Sequence, residues 1–472
     1  MRSAPEATLP IRLDRDAGLP LPTQLADRLR ALMAEAVLGP GEPLPSTRAL
    51  AAHLGVSRGT VVVAYDQLLA EGYLAAAAGS RTVVNPQLRR VHPSPAQRPR
   101  PIRTAAPPVF DLSPGRPWPG EVVSAAWRAA WRQASAAPDQ PTDPLGWPPL
   151  REAWADHLRR MRAVVRDPAQ IAVTAGGREG FALVLQALAR DRPLLVGVEE
   201  PGYPSLRRVP ARLGATILPL AVDQQGLVTD DLPTGDAAPD VLLVTPSHQY
   251  PLGGSLPVDR RQQLLEWARA NDVVVVEDDY DSELRYTSDP LPALAALDDA
   301  DAGVVVLLGT VSKTLTPTLA LGFLALPTRL VWAVAAARRD LGTPVGLVPQ
   351  RAVAELLASG ALRQHTQRMR GRYRRRRAQV TAALTGLDGV RVYPMDGGLH
   401  VVVETARPEA DVVAGLAAAG VRVSPLSAYW SGAGNRSGIV FGFGGVDDDA
   451  LTAALAIVAR EVCVPAAVPP VE

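Results

Sequence analysis

The chain of 472 residues contains a single lysine, Lys313, among 49 basic residues, and the other 48 are arginines. Arginine replaces lysine at little cost on ordinary surfaces, so a lone lysine is expected where arginine would fail. A guanidinium stays protonated, whereas a lysine amine can lose its proton and form a Schiff base with a carbonyl group. Lys313 is therefore a candidate nucleophile, and chance survival at a solvated position is the alternative.

Two further motifs offer groups that chemistry at a lysine would need. Residues 277–281 (EDDYD) follow an apolar run, and a carboxylate there can hold a neighbouring basic group protonated. Residues 174–180 (TAGGREG) open a helix after another apolar run, so bare backbone N–H groups can bind a phosphate. A solvated strand end is the alternative explanation for the acidic motif, and the glycine motif alone is weak evidence.

The elements that must position these motifs are predicted to be strands of a mainly parallel sheet. From residue 111 onward, apolar runs followed by polar or glycine residues alternate with Ala/Leu-rich helical stretches. These runs are residues 171–174, 194–198, 241–245, 273–276 and 304–308. Ligands of such sheets bind beyond the carboxyl ends of the strands, where the motifs lie. Shorter runs after about residue 380 predict a smaller α+β lobe.

The N-terminal stretch is predicted to form three helices and a hairpin. An apolar pattern at helical spacing over residues 25–37 stops at Gly39 and predicts the first helix. Ser46 and Ser57 can cap two further short helices, each of which ends at a glycine. Residues 73–84 can fold back as a two-stranded wing. This order of elements is typical of DNA-binding helix-turn-helix domains.

Residues 85–110 separate these two regions and are predicted to be a linker. They include seven prolines, five arginines and no acidic residue. Proline extends such a stretch, and its arginines could either contact DNA phosphates or belong to a solvated tether. The predicted domains are therefore a DNA-binding domain over residues 1–84, the linker, and a body over residues 111–472 with its smaller lobe from about 380.

The segment 44–61 (LPSTRALAAHLGVSRGTV), continued by residues 64–65 and 71–74, resembles the GntR family of winged-helix regulators. The resemblance implies that residues at the helix starts and in the wing contact a double-stranded DNA operator. These residues are Arg48, Ser57, Arg58, Thr60, Gly79, Ser80 and Arg81. A helical unit used only for protein contacts is the alternative.

The body resembles fold-type I aminotransferases, and its combination with the N-terminal domain resembles the MocR-type regulators. The segments that carry this resemblance are 174–180, 199–203 (EEPGY), 245–253 (TPSHQYPLG), 277–281 and 310–317 (TVSKTLTP). The implied fold is an all-α winged-helix N-terminal domain followed by an α/β, fold-type I, aminotransferase-like domain that depends on pyridoxal 5′-phosphate (PLP). A smaller α+β C-terminal lobe completes it.

The resemblance also implies roles for individual residues around PLP. Lys313 would form the Schiff base with the cofactor aldehyde, and Asp278 would pair with the ring nitrogen. Tyr280 would contact the phenolic oxygen, and Tyr203 would stack on the ring. The residues implied near the phosphate or in the same pocket are Gly176, Gly177, Arg178, His248, Thr310 and Ser312. His248 could equally be a loop histidine whose hydrogen bonds are purely structural.

Two arginines of the family pattern are missing from the body. Ala320 stands where relatives place an arginine near the phosphate, and Val440 stands where they place one that binds the substrate carboxylate. Arg436 could still reach the pocket from a loop. Loss of a bidentate arginine–carboxylate contact removes both affinity and orientation. The effector is therefore expected to be an amine without an α-carboxylate, or the cofactor itself.

Composition narrows the function further. A net charge of +1 excludes a uniformly basic nucleic-acid coat, and the single cysteine, Cys463, excludes an intrachain disulfide and a cysteine-based zinc site. No metal site or membrane span is expected, and the protein is expected to be cytoplasmic and nucleoid-associated. The arginine-rich run 368–377 could bind DNA, but a solvated or dimer-facing helix surface is favoured.

The sequence therefore predicts a homodimeric transcription regulator that senses PLP or an amine through a Lys313 aldimine. Two alternatives stay open. One is a working aminotransferase with an accessory DNA-binding domain, and the other is a regulator that has lost its cofactor. The complete helix-turn-helix motif argues against the first, and Lys313 together with Asp278 argues against the second.

Overall fold

Two units make up the structure, which is a computed structural model. They extend over Met1–Ala105 and Ala106–Glu472. The residues whose structure is described are 9–77, 81–88, 109–136, 143–286, 292–432 and 436–463. Within these ranges, no helix has both the length and the apolar character that crossing a membrane requires. The same ranges contain no group of three or more His, Cys, Asp or Glu side chains arranged to hold a metal ion.

The N-terminal unit has the three helices and the hairpin that the sequence predicts. Its elements are α1 (Leu21–Ala34), α2 (Thr47–Leu54), α3 (Arg58–Ala70), β1 (Leu74–Ala77) and β2 (Arg81–Val84). The Ser46 hydroxyl accepts a hydrogen bond from the Ala49 N–H. The Ser57 hydroxyl accepts one from the Thr60 N–H, so both predicted helix caps are confirmed. Gly55, with φ of 64°, ends α2 in the left-handed conformation.

The first helix ends earlier than the sequence predicts. Apolar residues continue to Val37, but α1 stops at Ala34, and Ala36 takes φ of 62°. The N–H groups of Val37 and Leu38 both donate to the Leu32 carbonyl, which closes the helix without a glycine. Leu38 packs into the same core as α1, so the apolar pattern extends past the helix and cannot show its end.

The predicted wing is an antiparallel pair of β1 and β2. Gly79 and Ser80, which the sequence places at its tip, lie outside the described residues. After the wing, Asn85 hydrogen-bonds to the turn that follows α3, and Leu88 packs against the core of the unit. Phe110 begins the first strand of the larger unit. Contacts of the two units therefore include residues at both ends of the stretch predicted as a linker.

The larger unit alternates helices and strands. Its helices are α4 (Ala125–Ser135), α5 (Pro148–Arg162), α6 (Gly177–Ala187), α7 (Pro204–Arg212), α8 (Val258–Ala270), α9 (Leu294–Leu297), α10 (Thr328–Leu341), α11 (Leu347–Ala358), α12 (Ala361–Leu384), α13 (Glu409–Ala418) and α14 (Asp448–Val462). Its strands are β3 (Phe110–Asp111), β4 (Ile171–Thr174), β5 (Leu195–Glu200), β6 (Thr216–Asp223), β7 (Gly226–Leu227), β8 (Val241–Val244), β9 (Val274–Asp279), β10 (Val305–Thr310), β11 (Gly322–Ala325), β12 (Val390–Val392), β13 (His400–Thr405), β14 (Val421–Arg422), β15 (Ser424–Pro425) and β16 (Gly438–Gly442).

An eight-stranded sheet forms the centre of this unit, in the order β4-β11-β10-β9-β8-β5-β6-β7. Six strands run parallel, and β11 and β7 run in the opposite direction. Consecutive residues such as Val306 and Leu307 belong to different apolar clusters, so both faces are covered. The predicted α/β sheet is confirmed. Neither β6, which is only half buried, nor β11 is among the strands predicted from the sequence, although β11 is as long as the predicted strands β4 and β8.

The predicted smaller α+β lobe is a four-stranded sheet in the order β12-β13-β16-β15. Side chains of α12, α13 and α14 share one apolar core with β13 and β16. Helix α12 carries the arginine-rich run 368–377, and its Arg376 is only 1% exposed. The Arg376 guanidinium donates to the Asp448 carboxylate at 2.7 Å and to the carbonyls of Phe443 and Gly444. Arg376 is therefore internal, which differs from the solvated or dimer-facing surface expected from the sequence, whereas Arg368, Arg374 and Arg375 are exposed.

A buried arginine on α8 joins the two ends of the loop that follows β8. The Arg261 side chain is fully buried and donates to the carbonyls of Pro246, Leu256 and Pro292 at 2.6 to 2.7 Å. The Pro246 carbonyl also accepts the Leu256 N–H at 2.8 Å, and a guanidinium has enough donors to reach all three carbonyls. The loop between Pro246 and Leu256 is thereby held in one conformation against the sheet.

We expect Arg261→Leu to lower the free energy of unfolding of the full-length protein by about 3 kcal/mol or more, because it removes the side-chain donor of the Leu256 and Pro292 carbonyls. The neighbouring variant Arg260→Leu is the control. Arg260 pairs at the surface with Asp223, so its loss should cost less than about 1 kcal/mol. Urea unfolding followed by tryptophan fluorescence measures both, and equal costs would contradict the role assigned to Arg261.

Candidate functional site

A cavity of about 210 Å³ opens at the carboxyl ends of the parallel strands of the large sheet. We call it the ligand cavity. Nine of the residues that the sequence predicts for cofactor binding line it: Gly176, Gly177, Arg178, Tyr203, Asp278, Tyr280, Thr310, Ser312 and Lys313. His248 does not line it. The loops after β4, β5, β9 and β10 bring these residues together from four parts of the sequence.

The Lys313 amine lies inside the ligand cavity on the turn that follows β10. Its Nζ donates a hydrogen bond of 2.8 Å to the carbonyl oxygen of Gly115. Burial lowers the pKa of Lys313 below its ordinary value, although the charges of Asp281 and Asp278 oppose this shift. A lowered pKa increases the fraction of unprotonated amine, which is the nucleophilic form.

Strand alternation divides the acidic motif of β9 between two faces. Asp278 and Tyr280 face the ligand cavity. Glu277 points the other way and accepts the N–H groups of Leu294 and Ala295, each at 3.0 Å. Asp279 pairs with a buried arginine of α5. The motif is therefore buried, and N–H groups and an arginine compensate the charges of Glu277 and Asp279. The alternative of a solvated strand end is wrong.

Asp278 is the acidic group of the ligand cavity that lacks such compensation. Burial raises its pKa to about 8, with smaller contributions from Asp279 and Asp281 that the charge of Lys313 partly offsets. At neutral pH this carboxyl is therefore mostly protonated when it has no cationic partner. A ring nitrogen that can share or accept its proton would satisfy it.

An anion-binding arrangement lies at the start of α6. Gly176, with φ of 86°, precedes the helix and caps it without a side chain, so the first N–H groups of α6 face the ligand cavity. The hydroxyls of Thr310 and Ser312, 2.8 Å apart, lie across from it. Arg178 adds a guanidinium that reaches Ser205 at 3.4 Å. These groups fit a phosphate, which prefers backbone N–H donors, hydroxyls and a cation.

Aromatic rings form another wall of the ligand cavity. The Tyr203 and Tyr250 rings pack edge to face with centroids 5.1 Å apart, and Tyr250 lies 4.5 Å from His400. The His400 Nε2 atom is 3.0 Å from the carbonyl oxygen of Pro251, so this nitrogen carries the proton. Burial lowers the pKa of His400 to about 3, which keeps its imidazole neutral. The wall therefore presents aromatic surface without a cation.

His248 lies behind this wall. Its Nδ1 atom is 2.8 Å from the Asp281 carboxylate and 2.9 Å from the Tyr280 hydroxyl, which itself donates to the His248 carbonyl. The expectation that His248 faces the pocket is therefore not met, and the structural role left open for it is the one seen. It fixes the orientation of Tyr280 and Asp281, both of which line the ligand cavity.

Sequence reasoning missed several residues that line the ligand cavity. Gly115 contributes a backbone carbonyl, and its only signal is the Pro114-Gly115 pair, which is typical of a turn. Leu399 and His400 also line the cavity. They follow the glycine pair 397–398, and His400 is the first residue of β13. A lone histidine in an apolar strand usually has a structural role, so its type alone does not point to a site.

The structure shows where the two positions lie at which the family pattern has an arginine and this chain does not. Ala320 lines the ligand cavity beside Pro317, with φ of 45°. Val440 is buried in an apolar cluster of the smaller lobe and is not part of the cavity lining. Arg436 pairs with Glu404 at 3.3 Å on another surface of that lobe, so it does not supply the absent carboxylate contact. Among the described residues, Arg178 is the one arginine that lines the ligand cavity.

Four of the predicted DNA contacts lie at the helix starts of the N-terminal unit, and Arg81 begins β2 of the wing. Arg48 and Arg58 are exposed at the first turns of α2 and α3, and Arg58 Nε is 3.4 Å from the Thr47 hydroxyl. The hydroxyls of Ser57 and Thr60 lie 2.8 Å apart and cap α3. The two arginines are therefore long side chains exposed on this surface. The hydroxyls of Ser57 and Thr60 stabilise the first turn of α3.

Comparison with known families identifies both units. Residues 109–436 match the family described as aminotransferase class I and II. Residues 21–84 match the family described as bacterial regulatory proteins, gntR family. The two matches correspond to the larger and the N-terminal unit.

Individual relatives combine both units in one chain. The HTH-type pyridoxine biosynthesis transcriptional regulator PdxR of Corynebacterium glutamicum is 48% identical over 456 residues, which cover 97% of this chain and 99% of the relative. The probable rhizopine catabolism regulatory protein MocR of Rhizobium meliloti is 32% identical, with 92% of each chain covered.

Solved structures agree on the fold of the larger unit. Kynurenine aminotransferase of Pyrococcus horikoshii superposes with a TM-score of 0.68 at 24% identity, over 75% of this chain and 90% of that chain. LysN, an α-aminoadipate aminotransferase of Thermus thermophilus, superposes with a TM-score of 0.66 over 75% and 92%. The chain therefore belongs to the MocR-type transcription regulators of the GntR family, in which a winged helix-turn-helix unit precedes a fold-type I aminotransferase-like unit.

Proposed function

We propose that this regulator binds PLP at Lys313 and uses the larger unit to sense the cofactor, or an amine that reacts with it. The observation that carries the proposal is the joint presence of the Lys313 amine and the buried Asp278 carboxyl in one cavity, beside the start of α6. When bound, PLP supplies an aldehyde that a lysine amine can hold covalently and a ring nitrogen that pairs with a carboxyl.

The residues of the ligand cavity fit the parts of this cofactor. Lys313 holds the aldehyde end, and Asp278 holds a proton at the ring nitrogen. Tyr203 covers the ring face, and Tyr280, oriented by His248, faces the phenolic oxygen. The groups proposed for the phosphate are Gly176, Gly177, Arg178, Thr310 and Ser312.

The nature of the signal follows from the charges of the ligand cavity. Ala320 and Val440 replace two arginines of the family pattern, and Arg178, the one arginine of the cavity among the described residues, is assigned to the phosphate. His400 is neutral, so we assign no cation to an effector carboxylate. We propose an effector without an α-carboxylate, and the cofactor itself is the favoured one. The relative that is 48% identical is named a regulator of pyridoxine biosynthesis, which supports this choice.

Sensing requires that the ligand bind one state of the protein better than another. A covalent bond to Lys313 can provide this difference in affinity between two states, because it changes the hydrogen bonding of a buried amine. We propose a homodimer, since two helix-turn-helix units then read two half-sites of a double-stranded operator. In the described part of the DNA-binding unit, the proposed contacts are Arg48, Ser57, Arg58, Thr60 and Arg81.

We expect the protein loaded with PLP to be yellow, and borohydride to couple the cofactor irreversibly to the peptide that contains Lys313. The assignment is unambiguous because the chain has no other lysine. Lys313→Ala and Lys313→Arg should lose both the visible absorbance and the coupling, since neither side chain offers a nucleophilic amine. Coupling that persists in either variant would remove the basis of the proposal.

Arg178→Ala should weaken PLP binding about tenfold or more, the usual size of a lost charge-assisted hydrogen bond. The affinity of the Arg178→Ala variant for pyridoxal, which has no phosphate, should equal that of the wild type. Arg208→Ala is the matched control, because Arg208 is an exposed arginine on α7 that does not line the ligand cavity. Adding Ala320→Arg to Arg178→Ala should restore part of the affinity. Equal losses for PLP and pyridoxal would assign Arg178 a role other than phosphate binding.

Arg58→Ala and Arg48→Ala should each weaken binding to a selected operator fragment by about 1 to 3 kcal/mol if the arginine reads a base. The visible absorbance of bound PLP should stay as in the wild type. Arg28→Ala, at an exposed position of α1, is the control. Fluorescence anisotropy with a labelled fragment measures all three variants. Unchanged affinity in both test variants would place recognition elsewhere, most plausibly in the linker.

A further inference from the structure

The hydrogen bond between Lys313 and Gly115 connects the ligand cavity to the first residues of the larger unit. The Lys313 Nζ atom is 2.8 Å from the Gly115 carbonyl oxygen. Gly115 has φ of +74°, and a Cβ atom added there would lie 2.5 Å from Nζ. The backbone conformation favours glycine at this position, and an added Cβ would displace the Lys313 amine from where it now lies.

The residues that lead to Gly115 are tied closely together. The Asp111 carboxylate accepts hydrogen bonds from the N–H and hydroxyl of Ser113 and pairs with Arg116 at 2.6 Å. The Leu112 carbonyl accepts the N–H of Gly442 at 2.8 Å. A displacement of Gly115 is thus transmitted to residues 111–113, because no free stretch of chain separates them.

Strand β3 lies at the start of this segment. It pairs in parallel with β14, through the Phe110 N–H to the Gly420 carbonyl and the Leu112 N–H to the Arg422 carbonyl. Two paired residues make a weak strand, since each ladder bond contributes only about 1 kcal/mol net. The chain immediately before β3 is the stretch that leads from the DNA-binding unit.

We propose that Gly115 is a positioning residue for the Lys313 amine, and that this contact couples engagement of the amine to the strength of the β3–β14 pairing. The inference deepens the proposed function, on which it rests for the identity of the ligand. A free amine can donate to the Gly115 carbonyl. A ligand that engages the same nitrogen competes with that carbonyl for its N–H groups, so it loosens the segment that ends at β3.

Hydrogen exchange of the full-length protein tests the coupling. Without cofactor, Lys313→Ala already lacks the contact, so the Phe110 and Leu112 amides should exchange about fivefold faster than in the wild type, the factor of one hydrogen bond. Wild type that carries borohydride-fixed PLP should exchange as fast as Lys313→Ala, and added PLP should not change the variant. Exchange in cofactor-free Lys313→Ala at the slow wild-type rate would overturn the proposal.

The comparison of wild type with Lys313→Ala, both without cofactor, does not depend on PLP. It therefore separates failure of the coupling from failure of PLP binding. If borohydride fixes no PLP on the wild type, the proposed function fails while the cofactor-free comparison still tests the contact. If PLP is fixed but exchange does not change, the proposed function stands and the coupling is wrong.

A glycine pair tests the positioning role. Gly115→Ala should slow the capture of PLP, followed by visible absorbance, about tenfold or more, because a small misplacement of a reacting group is costly. Gly386→Ala is the matched control. Gly386 also has a positive φ, +85°, but no atom lies within 4 Å of an added Cβ. Equal capture rates in the two variants would overturn the role of Gly115.

Discussion

Burial of the acidic groups of β9 is the constraint on which the ligand cavity depends. Alternation along the strand sends Glu277 and Asp279 to one face and Asp278 to the other. A buried carboxylate is tolerable only with compensating charge or hydrogen bonds, which Arg162 of α5 and the first N–H groups of α9 provide. The positions of α5 and α9 beside the sheet follow from this requirement. Asp278 has no comparable arginine or N–H partner among the described residues, which is why the proposed pairing with a ring nitrogen is assigned to it.

The sequence was sufficient for the fold class because its signals are local. Apolar runs marked the parallel strands, and serine caps with glycine ends marked the helices of the DNA-binding unit. The end of α1 was misplaced because Leu38 continues the apolar pattern beyond the helix. Strand β3 has only two residues and pairs with a strand more than 300 residues away, so no local pattern reveals it.

The candidate site was predictable where side-chain chemistry is distinctive. Lys313 is the single lysine of the chain, and Asp278 belongs to an acidic motif that follows an apolar run. The position of each motif after such a run placed both residues at strand ends. Gly115 could not be found in this way, because it acts through a backbone carbonyl, which every residue possesses. His248 shows the opposite limit, since its type suggested the pocket but its position is behind Tyr280. Arg376, within an arginine-rich run, is buried by contacts that only the tertiary structure reveals.

The use of arginine at all other basic positions determines which electrophiles can harm this protein. Lys313 carries the only side-chain primary amine in the sequence. Acyl phosphates, thioesters and reducing sugars modify unprotonated amines and spare guanidinium groups, whose protons are never released at cellular pH. Acylation or glycation of a lysine side chain in this chain is therefore always an event inside the ligand cavity. Damage of this kind would disable the proposed sensing site while leaving the surface charge and the DNA-binding unit intact.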